Sequence, residues 1–197
     1  MSLASDTPGR RLVLASGSHR RAELLALLGL DFEVQAPDVD ESRLPGEEPH
    51  AYVERLARAK AVAVAVPDAI TLGGDTAVVH HGTILGKPVH PAEARTMLRR
   101  LSGDDHHVVS GVAVAVVEGG RVVVEALVES ALVRFATMTD TEIDSYVGTG
   151  EPLDKAGGYA IQLRGGVFVE SIEGHPSTVV GLPLPPVRRL LARHGLG

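Results

Sequence analysis

The sequence predicts an α/β domain: a mixed, twisted sheet with flanking helices. Three observations predict it. Short apolar runs alternate with amphipathic stretches through the first half of the chain, the pattern of strands covered by helices. Two long Val-rich runs, His107–Glu118 and Arg121–Phe135, meet at Gly119-Gly120, as an antiparallel hairpin would. Apolar residues make up 44% of the 197 positions while aromatic ones make up only 3%, so one sizeable core can form from Val, Leu and Ala.

Each element has a local reason. Residues 11–16 read as a first strand. After the small-residue turn "ASGS", residues 19–29 read as a helix, with Leu24, Leu25 and Leu28 at helical spacing. "FEVQAP" (32–37) is a second strand, followed by the acidic loop "DVDESRLPGEE". A long helix is expected over 49–66. "AITLGGDTAVV" (69–79) and "TILGKP" (83–88) pair around His80-His81-Gly82. "PAEARTMLRRLSG" (91–103) starts a helix with Pro91 and stops it at Gly103. Thr139 caps the helix in "TDTEIDSYVGTG" (139–150), with Glu142 at capping-box spacing. "GGVFVESIEG" (165–174) reads as a strand and "PLPPVRRLLARHG" (183–195) as the closing helix. With no internal repeat or low-complexity linker, one domain is expected over 1–197, residues 1–10 being a flexible N-terminal extension.

Composition excludes several function classes. A net charge of −6 argues against a partner that coats duplex nucleic acid, which needs a basic face. The absence of cysteine excludes disulfides and thiolate metal sites and fits a reducing compartment. "MSLASDTPGRR" holds no signal-peptide run, and nothing approaches the about 18 consecutive apolar residues of a membrane span. A soluble, cytoplasmic protein is expected.

Four stretches could carry chemistry. In "LASGSHRRAELLALLGL", Arg20 and Arg21 fall in the first helical turn, where the helix dipole disfavours cations by about 0.3–1 kcal/mol each. A strand–turn–helix start is also an anion site, Ser18 is placed to cap it or touch phosphate, and a triphosphate would supply the missing negative charge. Lys60 lies inside the stripe Val53, Leu56, Ala57, Ala61, Val64, so it must snorkel or meet a negative partner. Asp75 follows two glycines in "LGGDTAVV"; glycine in a strand marks close approach, and a carboxylate there can hold a metal or serve as a base. The next strand delivers Lys87 in "GKP". In "GEPLDKAGGYAIQ", Asp154 and Lys155 sit in a loop able to close over a ligand, and Gln162 offers both a donor and an acceptor to a pyrimidine edge. "GTILGKP" is not a P-loop: only three residues separate its glycines and Pro88 stands where a hydroxyl is needed. The pairs His80-His81 and His106-His107 lack the i,i+4 spacing of a helical zinc site and read as surface histidines.

Taken together and in order, "LASGSHRRAELL", "VDES" with Glu41, "YVERLARAKA" with Lys60, "GGDTAVV", "ILGKP", "MLRRLSG", "GEPLDKAGGYAIQ" and "VVGLPL" resemble the Maf family of nucleotide pyrophosphatases over nearly the whole chain. The resemblance implies an elongated α/β fold related to that of inosine triphosphate pyrophosphatases, with two lobes around a cleft, in cytoplasmic homodimers that use a divalent metal: Mg2+, with Mn2+ or Co2+ as substitutes. Thr76 after the aspartate and Gln162 in "GYAIQ" match the dTTP/UTP branch. By the same resemblance Asp75 is the proton acceptor, and Arg20, Thr76 and Gln162 set substrate choice. Arg21, Lys60 and Lys87 would add charge on the phosphates, and Asp75 with Glu41 would hold the metal. His19, Asp105 and Thr178 depart from the family's usual Pro, Thr and Asn. The expected reaction splits a nucleoside triphosphate, modified pyrimidine nucleotides included, into monophosphate and pyrophosphate. Two competing readings are a nucleotide-binding regulator of septum formation with little turnover, and a His-dependent zinc enzyme.

Overall fold

Seven strands share one sheet in the computed structural model, which describes residues 10–196; the expected extension over 1–10 lies outside these residues except for Arg10. The strands are β1 (Arg11–Ala15), β2 (Phe32–Val34), β3 (Ala69–His80), β4 (Thr83–Leu85), β5 (Asp105–Glu118), β6 (Arg121–Phe135) and β7 (Val169–Glu173). Their order is β2-β1-β3-β5-β6-β7, with β4 on the far end of β3. β1 runs parallel to β2 and β3, and all other pairs are antiparallel. The helices are α1 (His19–Ala26), α2 (Pro49–Ala63), α3 (Pro91–Leu101), α4 (Asp140–Val147), α5 (Pro176–Val180) and α6 (Leu184–Arg193). The mixed sheet with flanking helices is therefore the fold the sequence predicts, and the hairpin at Gly119-Gly120 and the Thr139–Glu142 capping box both form.

Differences lie at the ends. α1, α2 and β2 stop about three residues early. Residues 165–168, expected to open the last strand, lie instead in a 3-10 turn over Arg164–Phe168. Two more such turns, at Glu151–Asp154 and Ala156–Gly158, and the five-residue α5 were not expected.

Alternation along β3 and β5 positions the site. On one face lie Ile70, Leu72, Gly74, Thr76 and Val78, opposite Val116, Val114, Val112, Ser110 and Val108. Two apolar clusters cover this face. One contains Leu72, Val112, Leu25 and Leu190; the other contains Val78, Val108, Leu98 and Tyr146. The apolar row breaks between them at Gly74, Thr76 and Ser110, and the cleft lies there. The other face of β3 and β5 carries small residues. A Cβ on Gly73 would sit 2.4 Å from the Ala57 carbonyl oxygen and one on Gly111 would sit 2.5 Å from that of Val53, so α2 lies with its backbone against the sheet. Asp75 pairs with Gly111 and shares this face with Gly73, which brings Lys60 of α2 beside it.

Gly73→Ala is expected to push α2 off the sheet, at a cost of about 1–3 kcal/mol. Turnover should fall further than the folded fraction does, because Lys60 moves with the helix. A denaturant midpoint equal to that of the wild type would contradict this packing.

The same sheet has a gap. β1 pairs with β3 only as far as Gly73, and β4 only from Val78 onward, so Gly74–Ala77 lacks a strand partner on that edge. The turn after β1 and the Gly86-Lys87 stretch after β4 flank the opening.

Candidate active site

A cavity of about 820 Å³ fills this gap, and Ser18, Arg20, Arg21, Glu41, Lys60, Asp75, Thr76, Lys87, Asp154, Lys155 and Gln162 all line it. The structure thus brings every expected site residue to one place. Five cationic side chains face three carboxylates there, a local positive balance in an acidic chain.

At its centre is a triad of a buried lysine, a buried aspartate and an exposed glutamate. Lys60 Nζ donates to Asp75 Oδ1 at 2.7 Å and lies 2.7 Å from Glu41 Oε1. Lys60 and Asp75 are each 7% exposed, so this is the negative partner an inward lysine requires. Among the described residues nothing bonds Asp75 Oδ2. The loop that presents Glu41 is tied to α2. Arg55 donates from Nε and Nη2 to the two Glu47 carboxylate oxygens at 2.6 and 2.8 Å and to the Ser42 carbonyl at 3.0 Å, and Tyr52 Oη donates to the Glu41 carbonyl at 3.1 Å. The Arg55 hydrogen bond holds the Glu47 carboxyl down to about 2.

The two arginines part company. Ser18 caps α1, its Oγ accepting from Arg21 N at 3.4 Å. Arg20 reaches across the cleft to within 3.9 Å of Asp154. Arg21 instead lies over Gly74, where the missing side chain leaves room. It donates from Nε to the Gly181 carbonyl at 2.9 Å, from Nη2 to Thr76 Oγ1 at 3.1 Å and from Nη1 to Ser16 Oγ at 3.4 Å. Its charge therefore already has partners within the protein. Burial lowers its pKa, with Asp75 opposing. Ser110 gives its proton to the Thr178 carbonyl at 2.8 Å, so Thr76, 2.8 Å from Ser110 Oγ, is the donor to it. Thr76 thus links Arg21 to α5 and turns away from Asp75.

Around the rim, Lys155 donates to Asp154 and, at 3.4 Å, to the Glu151 carbonyl; this hydrogen bond lowers the Asp154 pKa. Lys87 is exposed and forms no ion pair among the described residues, and Gln162 is exposed at the cavity wall.

Several site residues carried no signal that was read. Tyr52 sits four and eight residues before Leu56 and Lys60, a spacing that could have found it. Tyr159 lines the cavity, and its hydroxyl meets His106 Nε2 at 2.6 Å. His80 and His106 are buried, not surface residues as expected, because both point from β3 and β5 into packed ground. His106 stacks edge-on against Phe135 and Tyr159. Burial, helped by His80 and His107, lowers its pKa to about 4. Its unfolded value is near 6.5, so between these values the unfolded chain binds the extra proton and stability rises with pH. About 3 kcal/mol should therefore be present above pH 6.5 and lost as pH falls toward 4. His106→Gln should flatten that slope in thermal melts, and equal slopes in both proteins would contradict it.

The three departures leave the site standing. His19 is solvent-facing beside Glu23 at 3.4 Å, and Ser18 still caps the helix. Asp105 pairs with Arg134 across β5 and β6. Thr178 is buried and offers only its carbonyl to Ser110.

Comparison with known proteins points one way. The model of the Maf family, described as Maf-like protein, matches residues 11–194. Proteins called dTTP/UTP pyrophosphatase are similar over nearly their whole length. One from Anaeromyxobacter dehalogenans is 54% identical, covering 94% of this chain and 94% of its own. One from Hahella chejuensis is 48% identical over 96% and 95%, and one from Moorella thermoacetica is 51% identical over 94% and 96%. A HAM1 protein from Coxiella burnetii superposes with a TM-score of 0.45 at 17% identity, covering 93% of this chain and 98% of that one. A match across almost every described residue, joined to relatives near half identity, makes this chain a member of the Maf family.

Proposed function

We propose that the protein hydrolyses dTTP and UTP, and modified pyrimidine relatives of them, to the nucleoside monophosphate and pyrophosphate, clearing them from the nucleotide pool. The observation that carries this is Lys60 held between Asp75 and Glu41 inside a cavity otherwise rich in cations. The names of the relatives supply the substrate class.

The donor set fits a divalent cation. Two carboxylates already converge on one positive centre, the Lys60 ammonium, and hard cations such as Mg2+ take carboxylate and phosphate oxygens. Asp75 and Glu41 would hold it, and when bound it would neutralise charge on the phosphates. The chain's own groups do the rest. Arg20, Lys87 and Lys155 bind the polyphosphate, and Arg21 fixes the floor of the cleft through Thr76 and Gly181. Lys60 takes Asp75 Oδ1 and leaves Oδ2 to orient water and accept its proton. The water oxygen bonds to the α-phosphorus, the bond to the bridging oxygen breaks, and pyrophosphate leaves with that oxygen. Charge spreads over phosphate oxygens in such a transfer, so positioning and cations carry the catalysis. Gln162 reads the pyrimidine edge. A homodimer in the cytoplasm belongs to this reading, and light scattering giving twice the chain mass would support the dimer.

Incubation with dTTP, UTP, CTP, dATP, GTP and 7-methyl-GTP in Mg2+, with products identified, tests the proposal. Fastest release of pyrophosphate from dTTP and UTP is expected. Tight binding without pyrophosphate would favour a division regulator instead.

A further inference from the structure

We propose a second metal site, separate from the cavity, formed by His80, His81 and Asp104 and suited to a borderline cation such as Zn2+. One ligand atom from each of these residues lies within 4.8 Å of the others. His80 Nε2 and His81 Nε2 stand 3.0 and 2.9 Å from the same oxygen, Asp104 Oδ2. Tetrahedral zinc bonds of about 2.0–2.2 Å place neighbouring ligands about 3.3–3.6 Å apart, so the three groups need to open by about half an ångström to admit an ion. Imidazole and carboxylate suit Zn2+, Ni2+ or Cu2+, unlike the all-oxygen pair of Asp75 and Glu41. None of the three lines the catalytic cavity.

Backbone geometry supports the assignment. Successive side chains of a strand point to opposite faces, so neighbouring histidines should diverge. Here His81 takes φ +46°, a left-handed conformation uncommon outside Gly, with Asn, Asp and His the residues that adopt it most readily after Gly. That twist brings the two rings to 4.1 Å between centroids and both to Asp104. Supporting contacts are present as well: Asp105 N donates to Asp104 Oδ1 at 2.7 Å, fixing the carboxylate as outer partners of metal ligands do. His80 is buried, whereas the His81 side chain is 71% and the Asp104 side chain 42% exposed, which leaves an entry path and room for water ligands. An ion there would join the β3–β4 turn to the loop before β5, and the segment between these points carries Lys87.

Zn2+ titration with Mg2+ in excess tests the site on the whole protein, comparing wild type with His81→Asn and Asp104→Asn. Wild type should bind one equivalent, with affinity weakened by at least about tenfold in each variant, since losing even an outer partner of a metal ligand costs about 10–100-fold. At a hundredfold excess over Kd its Tm should rise by about 5–10 °C, with no such rise in His81→Asn. Substoichiometric Cu2+ should show an electron paramagnetic resonance spectrum with coupling to two imidazole nitrogens in wild type, a readout that does not depend on the variants folding. Equal Zn2+ affinity in wild type and folded variants, or a Cu2+ spectrum without nitrogen coupling, would overturn the proposal.

Discussion

Asp75→Asn is expected to lower kcat on dTTP by about 10²–10⁴-fold, the usual contribution of a positioned general base, while the protein stays folded. The substitution keeps the shape of the side chain and removes its basicity. Lys60 loses one carboxylate but keeps Glu41 at 2.7 Å, so its charge is not left alone in the interior. The stability cost should therefore stay at about 1–3 kcal/mol, that of an imperfect buried hydrogen bond. Circular dichroism and a denaturant melt separate this cost from the catalytic loss. Near-normal turnover in the folded variant would remove Asp75 from the role of base.

Lys60→Ala should have the next largest effect. Electrostatic contacts of this kind contribute about 2–4 kcal/mol to barrier lowering, so kcat/KM should drop by roughly 30- to 1000-fold. The metal response should move the other way. With the ammonium gone, Asp75 and Glu41 face each other without a cation, and like charges so close favour an added one. The Mg2+ concentration for half-maximal rate should therefore fall even as kcat falls. A lysine that only packs against Leu56 and Ala57 would change neither quantity, and unchanged kcat/KM would assign it to packing.

Much of this was legible because apolar periodicity follows burial. The stripe on α2 identified Lys60 as inward-facing, and the side chain is buried as that stripe requires. The two glycines before Asp75 signalled close approach, and the α2 backbone lies against Gly73 while the Arg21 side chain lies over Gly74. What escaped depends on distant partners. The gap at Gly74–Ala77 comes from where β1 and β4 stop pairing, which nothing in those four residues encodes. Arg21 reaches the carbonyl of Gly181, 160 positions away, so its first-turn position gave no hint that its charge is met inside the protein. α5 has five residues, too few to show a helical period. His80 and His106 looked like surface residues because their polarity said nothing of the strand faces they occupy.

Hydrolysis of dTTP in ¹⁸O-enriched water, with both products examined by mass spectrometry, tests most directly the claim that water held by Asp75 attacks the α-phosphorus. All of the label is expected in the monophosphate and none in pyrophosphate. Label in pyrophosphate, or release of inorganic phosphate in its place, would contradict it.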